Sequence, residues 1–345
     1  MSVPVSCVRC LAANVAPRRF PRRGTFRNTG AAVGARPRAG RPARFLEGAV
    51  WTDSIIAVGA VGAIVWVDGE AEAAGFANLE TREPMTPRHH MRVGSIDKTY
   101  MAVVAVTVFD DLDVPAARWV PQLGERITLR HLLSHRSGLF DYMWDGETYE
   151  RLAFGPPALS DPEAFLQAAL RYPLRDFGEV SYSSSNYAAL DLILERATGE
   201  SLGDLLQKHV FELYELRRTT FQTGLDVPPD VAHGYALKGG TFPAVDSPRD
   251  VSAYWSDRSI AADLADLASF FGQLFRTRPE MVDRGLGVRA YDHPRGTVYG
   301  HGGTMAGYTV QLRATRDGEH IVIAAANSHS IPVMRTIAAT VQDLL

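Results

Sequence analysis

Strand-like runs stand at both ends of this 345-residue chain and helical periodicities fill the stretch between, and no other feature restricts the fold as much. Near the start, Gly62 to Val67 is β-rich, Asp68-Gly69 is a hairpin turn signal, and Glu70 to Asn78 supplies a returning strand. After Gly285-Leu286-Gly287 strands resume as Val298 to His301, Tyr308 to Ala314 and His320 to Asn327, with Asp317-Gly318 turning the last hairpin. These two groups predict an α/β fold in which one antiparallel sheet is built from N- and C-terminal strands and flanked by helices. A short helix around Phe45 to Ile56 precedes the sheet, and a final helix carries Val333, Ile337, Val341 and Leu344 on one face.

From about residue 110 to 251 amphipathic segments alternate with Pro- and Gly-rich loops, for example Leu129 to Ser134, Asp161 to Leu170, Tyr187 to Thr198 and Leu202 to Phe211. They predict an all-helical region inserted into the α/β body, with the active site between the two. Asp263 to Phe275 is a further amphipathic helix, and Met101 to Phe109 is apolar on every face, the mark of a buried helix.

Charge separates a tail from this body. The first 46 residues hold ten Arg and no acid, leaving 26 basic against 39 acidic residues beyond them, a net of about −13. An acidic body argues against nucleic-acid binding, which depends on neutralising phosphates. Residues 1–45 read as an Arg-rich disordered tail and 46–345 as one domain. Arg18-Arg19-Phe20 hints at a twin-arginine signal, but Arg and Pro interrupt every apolar stretch between Ala31 and Phe45, so the chain reads as cytoplasmic, with secretion the alternative. Ile55 to Val67 is too short to span a bilayer. Cys7 and Cys10, the only cysteines, lie in the tail without a second pair, so neither a disulfide nor a metal site is expected in the body.

Chemistry concentrates at Ser95-Ile96-Asp97-Lys98, a Ser-x-x-Lys motif leading into the buried helix. Of 36 basic residues 33 are Arg, so Arg serves wherever a positive charge suffices, and Arg cannot act as a base. Lysine here marks a need for an amine that can lose its proton. At a helix start positions i and i+3 share a face, which brings the Lys98 amine to the Ser95 hydroxyl. Burial and the positive helix N-terminus are expected to push the Lys98 pKa down toward a general base's range.

With these residues the chain resembles the penicillin-recognising serine enzymes: D-alanyl-D-alanine carboxypeptidases, class C β-lactamases and related esterases. Ile127 to Leu139, containing His131-Leu132-Leu133-Ser134-His135-Arg136-Ser137-Gly138, is similar to a framework segment of that family. Tyr182-Ser183-Ser184 falls at its Tyr-x-Asn motif, and His301-Gly302-Gly303 at its Lys-Thr-Gly motif in a His-containing form. The resemblance runs from about residue 55 to the C-terminus and is strongest to secreted D,D-carboxypeptidases. It implies a β-lactamase/D,D-peptidase-like fold, Ser95 as nucleophile, Lys98 as its base, Tyr182 as proton relay, and His301 lining the cleft. It also implies an oxyanion hole from the Ser95 and Thr304 N–H groups, substrate approach over Gly302 and Gly303, and Arg289 near a carboxylate-binding position. Ser184 replaces the family's Asn, which puts peptide and lactam specificity in question more than hydrolysis.

Other motifs carry less. Gly199-Glu200-Ser201-Leu202-Gly203 matches a G-x-S-x-G elbow, but a helix precedes it, so Gly199 reads as a C-cap and Ser201 as an N-cap. His131 and His135 stand at i and i+4 without the Glu of H-E-x-x-H and read as framework residues; His89-His90 has no ligand spacing. The expected function is hydrolysis of an ester, D-peptide or β-lactam through an acyl-Ser95 intermediate, by a monomer acting on a small-molecule or peptide substrate without cofactor or metal. The alternatives are a transacylase, which passes the acyl group to an amine, and a non-catalytic binding module.

Overall fold

The structure is a computed structural model that describes residues 50–345 apart from residues 155, 157, 239–247 and 254–257; the tail of residues 1–45 and its expected disorder lie outside the described residues. Seven strands form one antiparallel sheet. β1 (Gly62–Val67), β2 (Glu70–Asn78) and β3 (Glu83–Pro84) come from the N-terminal side, and β4 (Arg289–His293), β5 (Gly296–Met305), β6 (Tyr308–Ala314) and β7 (Ile321–Ala326) from the C-terminal side. The order is β3-β2-β1-β7-β6-β5-β4. The two groups meet where β1 pairs with β7, Ala63 opposite Ala326 and Val67 opposite Val322, so the sheet is built from both ends of the body as expected. Asp68 and Gly69, at φ 48° and 104°, turn the first hairpin. Positive φ at both central positions gives the twist that matches antiparallel strands.

An inner strand covered on both faces needs apolar side chains on both. In β1, Ile64 joins one core with Tyr100, Val104 and Phe270. Its neighbours Ala63, Val65 and Val67 join a second core with Ile55, Val333, Ile337 and Val341. The first core holds the helix Asp97–Val108, whose residues from Lys98 to Ala105 are all buried, as a helix apolar all round requires. The second lies under the C-terminal helix Ile331–Leu344.

A third core, with Leu129, Leu132, Leu166, Ala189 and Ile193, holds the inserted helices Leu129–Leu133, Pro162–Leu170 and Ser185–Thr198 together. The insert is not helical throughout, as the reading of residues 110–251 had it. Helix gives way at the π turn Gln207–Phe211, and beyond it Thr219–Gln222, Tyr235–Ala236 and Arg249–Asp250 are short strands. Thr219, Thr220 and Phe221 are β-formers that pair with Ser259–Ala262, which pairs in turn with Met91–Arg92. That small ribbon delivers the chain to Ser95. Of the first helix expected around Phe45 to Ile56, residues 45–49 lie outside the described residues, and the helix described is Asp53–Ala57. Gly199 and Ser201 are the caps they were read as. Among the described residues no helix is long and apolar enough to cross a membrane.

Phe270 ties the helix Leu264–Thr277 to the helix behind Ser95: fully buried, it stacks on Tyr100 at 4.0 Å and meets Tyr214 edge-on at 5.1 Å. Phe270→Ala should cost about 3–5 kcal/mol in urea unfolding, and a loss below about 1 kcal/mol would show that this packing is dispensable.

Candidate active site

Ser95 sits in a 3-10 turn, Gly94–Ile96, immediately before the helix Asp97–Val108. Val93 anchors the turn by donating to Ile260 O at 3.0 Å. One turn on, the Lys98 side chain comes back to the same face, and its Nζ lies 3.0 Å from Ser95 Oγ. Tyr182 arrives from the inserted helices and places its Oη 3.0 Å from the same oxygen.

His135 fixes Tyr182. Ser181 N–H donates to His135 O at 2.8 Å, Ser183 N–H donates to His135 Nδ1 at 3.3 Å, and the imidazole lies against the Tyr182 ring at 4.4 Å between centroids. Asn186 Nδ2 points at the same ring nitrogen from 3.2 Å. Nδ1 is therefore the acceptor and the proton sits on Nε2. Burial, reinforced by the Lys98 and Arg289 charges, holds the His135 pKa down to about 3. Asn186 is spent on this network and faces away from the cleft.

Strand β5 closes the site. A Cβ on Gly303 would fall 1.8 Å from Val93 O, and one on Gly94 would fall 2.9 Å from Thr304 N. Glycine at both positions lets strand and turn touch backbone to backbone, with Gly94 at φ 53°. His301 is buried and its Nδ1–H donates to Gly302 O at 2.6 Å. Burial first and the Lys98 cation second keep its pKa well below the usual imidazole value, so it is neutral, and its Nε2 has no hydrogen-bond partner among the described residues.

Lys98 departs from expectation. Burial does act to lower its pKa, but the neighbouring acidic groups outweigh it, Tyr182 first and then Asp97 and Tyr142, and the amine is held above its ordinary value. The sequence shows the apolar helix but not that Tyr182 and Tyr142 converge on the amine.

An open cleft of about 250 Å³ lies beside Ser95, lined by Tyr182, His301, Gly302, Thr304 and Arg289, which brings five of the expected residues around Ser95. Two depart from their expected places. Ser184 does not line the cleft; it stands at the start of the helix Ser185–Thr198 and hydrogen-bonds the Asp141 carboxyl. Gly303 is buried against the nucleophile turn, so its missing side chain makes room for Val93 rather than for substrate. Tyr291, Gln311 and Arg313 also line the cleft and were missed, although alternation along Tyr308 to Ala314 puts 311 and 313 on one face. His135 was read as framework; its link to Tyr182 has no sequence signal. Among the described residues no group of three or more His, Cys, Asp or Glu is arranged to hold a metal ion.

The sequence model of the Beta-lactamase family matches residues 52–345. The chain belongs to that family. Among curated relatives it is similar to the D-aminopeptidase of Gluconobacter oxydans, 29% identical over 229 residues that make up 62% of this chain and 42% of the relative. A D-aminopeptidase of Cereibacter sphaeroides is 26% identical over 289 residues, 75% of this chain and 55% of the relative. The chain thus spans about half the length of the curated relatives it matches. Among solved structures, D-amino acid amidase from Ochrobactrum anthropi SV3 superposes with a TM-score of 0.72 over 85% of this chain and 95% of that one, at 21% identity, which shows the shared fold.

The two buried imidazoles make folding stability depend on pH. Their folded pKa values lie below the unfolded value of about 6.5, so the unfolded chain takes up protons first and stability falls as pH drops from 6.5 toward 3. His135 alone should cost on the order of 2 kcal/mol at pH 5 relative to pH 7. Urea unfolding at the two pH values measures it. His135→Gln, which cannot titrate, should reduce that pH dependence, and an unchanged difference would refute the assignment.

Proposed function

We propose that the chain is an acyl-serine hydrolase that cleaves amide bonds. One observation carries this: Ser95 Oγ lies 3.0 Å from both the Lys98 amine and the Tyr182 hydroxyl, at the floor of an open cleft. A serine hydroxyl attacks only if its proton has somewhere to go. Lys98, held protonated, has no lone pair to offer, which leaves the Tyr182 oxygen as the acceptor at hydrogen-bond distance.

In the proposed cycle Tyr182 is the proton relay beside the Lys98 amine. Ser95 Oγ bonds to the substrate carbonyl carbon as its proton passes to Tyr182. Tyr182 then protonates the leaving nitrogen as the C–N bond breaks, giving an acyl ester on Ser95. Water enters by the same route, its proton passing to Tyr182 as the ester opens, and Ser95 recovers its own. The Ser95 and Thr304 N–H groups serve as the oxyanion hole, each worth roughly 3 kcal/mol in the transition state. His301, neutral with Nδ1–H tied to Gly302 O, serves as a cleft-lining acceptor rather than a charged group.

Amides of D-residues are the substrate class we favour, on the names of the D-aminopeptidase relatives and of the D-amino acid amidase that shares the fold. That moves the proposal away from the D,D-carboxypeptidase and esterase readings. Transfer to an amine would use the same acyl-enzyme and differ only in what intercepts it.

Intact-mass spectrometry after exposure to a fluorophosphonate should give one adduct on the wild type and none on Ser95→Ala. Tyr182→Phe should lower kcat for a D-amino acid p-nitroanilide by about 10²- to 10⁴-fold, the usual contribution of a positioned acid–base group. Full activity in Ser95→Ala would remove the mechanism altogether.

A further inference from the structure

Among the described residues no acidic side chain lines the cleft, while Arg289 and Arg313 both do. Six other arginines pair with carboxylates, Arg130 with Asp113, Arg171 with Asp145, Arg196 with Glu163, Arg218 with Asp263, Arg258 with Asp191 and Arg316 with Asp283, while others, such as Arg136 and Arg295, bond backbone carbonyls away from the cleft. Neither cleft arginine has a carboxylate partner among the described residues.

Arg313 is held in place by neutral groups. Its Nη1 donates to Leu312 O at 2.7 Å and its Nη2 to Gln311 Oε1 at 2.9 Å, while its guanidinium lies 3.3 Å from the centre of the Tyr291 ring. The Arg289 guanidinium is 5.5 Å from the same ring and 5.5 Å from that of Tyr182, which contacts Ser95. The register explains the convergence: Arg289 on β4 and Arg313 on β6 are both paired with Gly300 of β5, one on each side. Gly302 contributes too, because a Cβ there would fall 2.6 Å from the Gln311 carboxamide, so glycine is what lets Gln311 lie across β5 and hold Arg313.

Carbonyls and a carboxamide satisfy hydrogens without neutralising charge. Burial, with Arg289 adding to it against the Tyr291 phenol, pulls the Arg313 pKa down to about 10, the sign of a cation short of negative charge. One carboxylate on the ligand would still leave one guanidinium uncompensated. A ligand with a free ammonium would add a further cation to the cleft.

We infer that the substrate is doubly anionic, carrying two carboxylates that face Arg289 and Arg313, and that Arg313 is the specificity-determining residue that adds the second. The inference rests on the acyl-serine reading of the same cleft and narrows the favoured D-residue amides to those that carry two carboxylates.

Protection of Ser95 from a fluorophosphonate tests it at fixed ionic strength, with glutarate, glutaramate and glutaramide as competitors and intact mass as readout. Glutarate should protect at a concentration about tenfold or more below glutaramate, the size of one charge-assisted contact. Arg313→Met should remove that advantage, and Arg313→Lys, which keeps the charge, should retain part of it and guards against a folding artefact. Equal protection by glutarate and glutaramate in the wild type, or an unchanged ratio in Arg313→Met, would overturn the inference. Failure of Ser95 to label at all would instead overturn the acyl-serine reading, so the two failures are distinct.

Discussion

Everything in the site depends on one backbone contact, the approach of β5 to the turn that carries Ser95. With a Cβ at Gly303 only 1.8 Å from Val93 O, no side chain fits between strand and turn. Two separate structures meet there. The sheet supplies β5, held between β4 and β6, and the small ribbon of Met91–Arg92, Ser259–Ala262 and Thr219–Gln222 supplies the turn. Close contact sets Ser95 and Thr304 side by side on one wall of the cleft, where the proposed oxyanion hole needs their N–H groups. Preorganised donors of that kind are effective because they need no rearrangement during the reaction.

Charge around Ser95 follows from burial. Desolvation keeps His135 and His301 neutral, while the acidic groups beside Lys98 keep it a cation. Neutral imidazoles matter because protonating them would add two more cations to a site that already holds Lys98, Arg289 and Arg313. The arrangement leaves Ser95 between one fixed donor and one group able to accept. His135 holds its ring by accepting at Nδ1, and its contact with Tyr182 transmits that constraint to the phenol.

The sheet was legible from sequence because both of its halves carry turn signals between β-rich runs, and the buried helix because it is apolar on every face. Ser95, Lys98, Tyr182 and His301 were legible as motifs, although chain spacing alone could not show that Tyr182 lies 3.0 Å from Ser95 across 87 positions. Three things escaped. The end of the helical insert depends on Thr219–Gln222 finding Ser259–Ala262, a pairing with no local signature. The Lys98 pKa depends on phenols from distant segments. Arg313 looked like any other arginine in a chain rich in them, since only the fold shows which arginines lack a carboxylate.

Gly302 and Gly303 look like one motif and do two separate jobs. Successive residues of a strand face opposite sides, so one glycine opens toward the nucleophile turn and the next toward Gln311. Gly303 sets where the reacting oxygen sits, and Gly302 sets where the Gln311 carboxamide, and through it Arg313, sits. Chemistry and charge recognition are therefore positioned by adjacent peptide units of a single strand, β5. A change in the strand's register would disturb both, whereas a change at Arg313 alters only the charge the cleft presents.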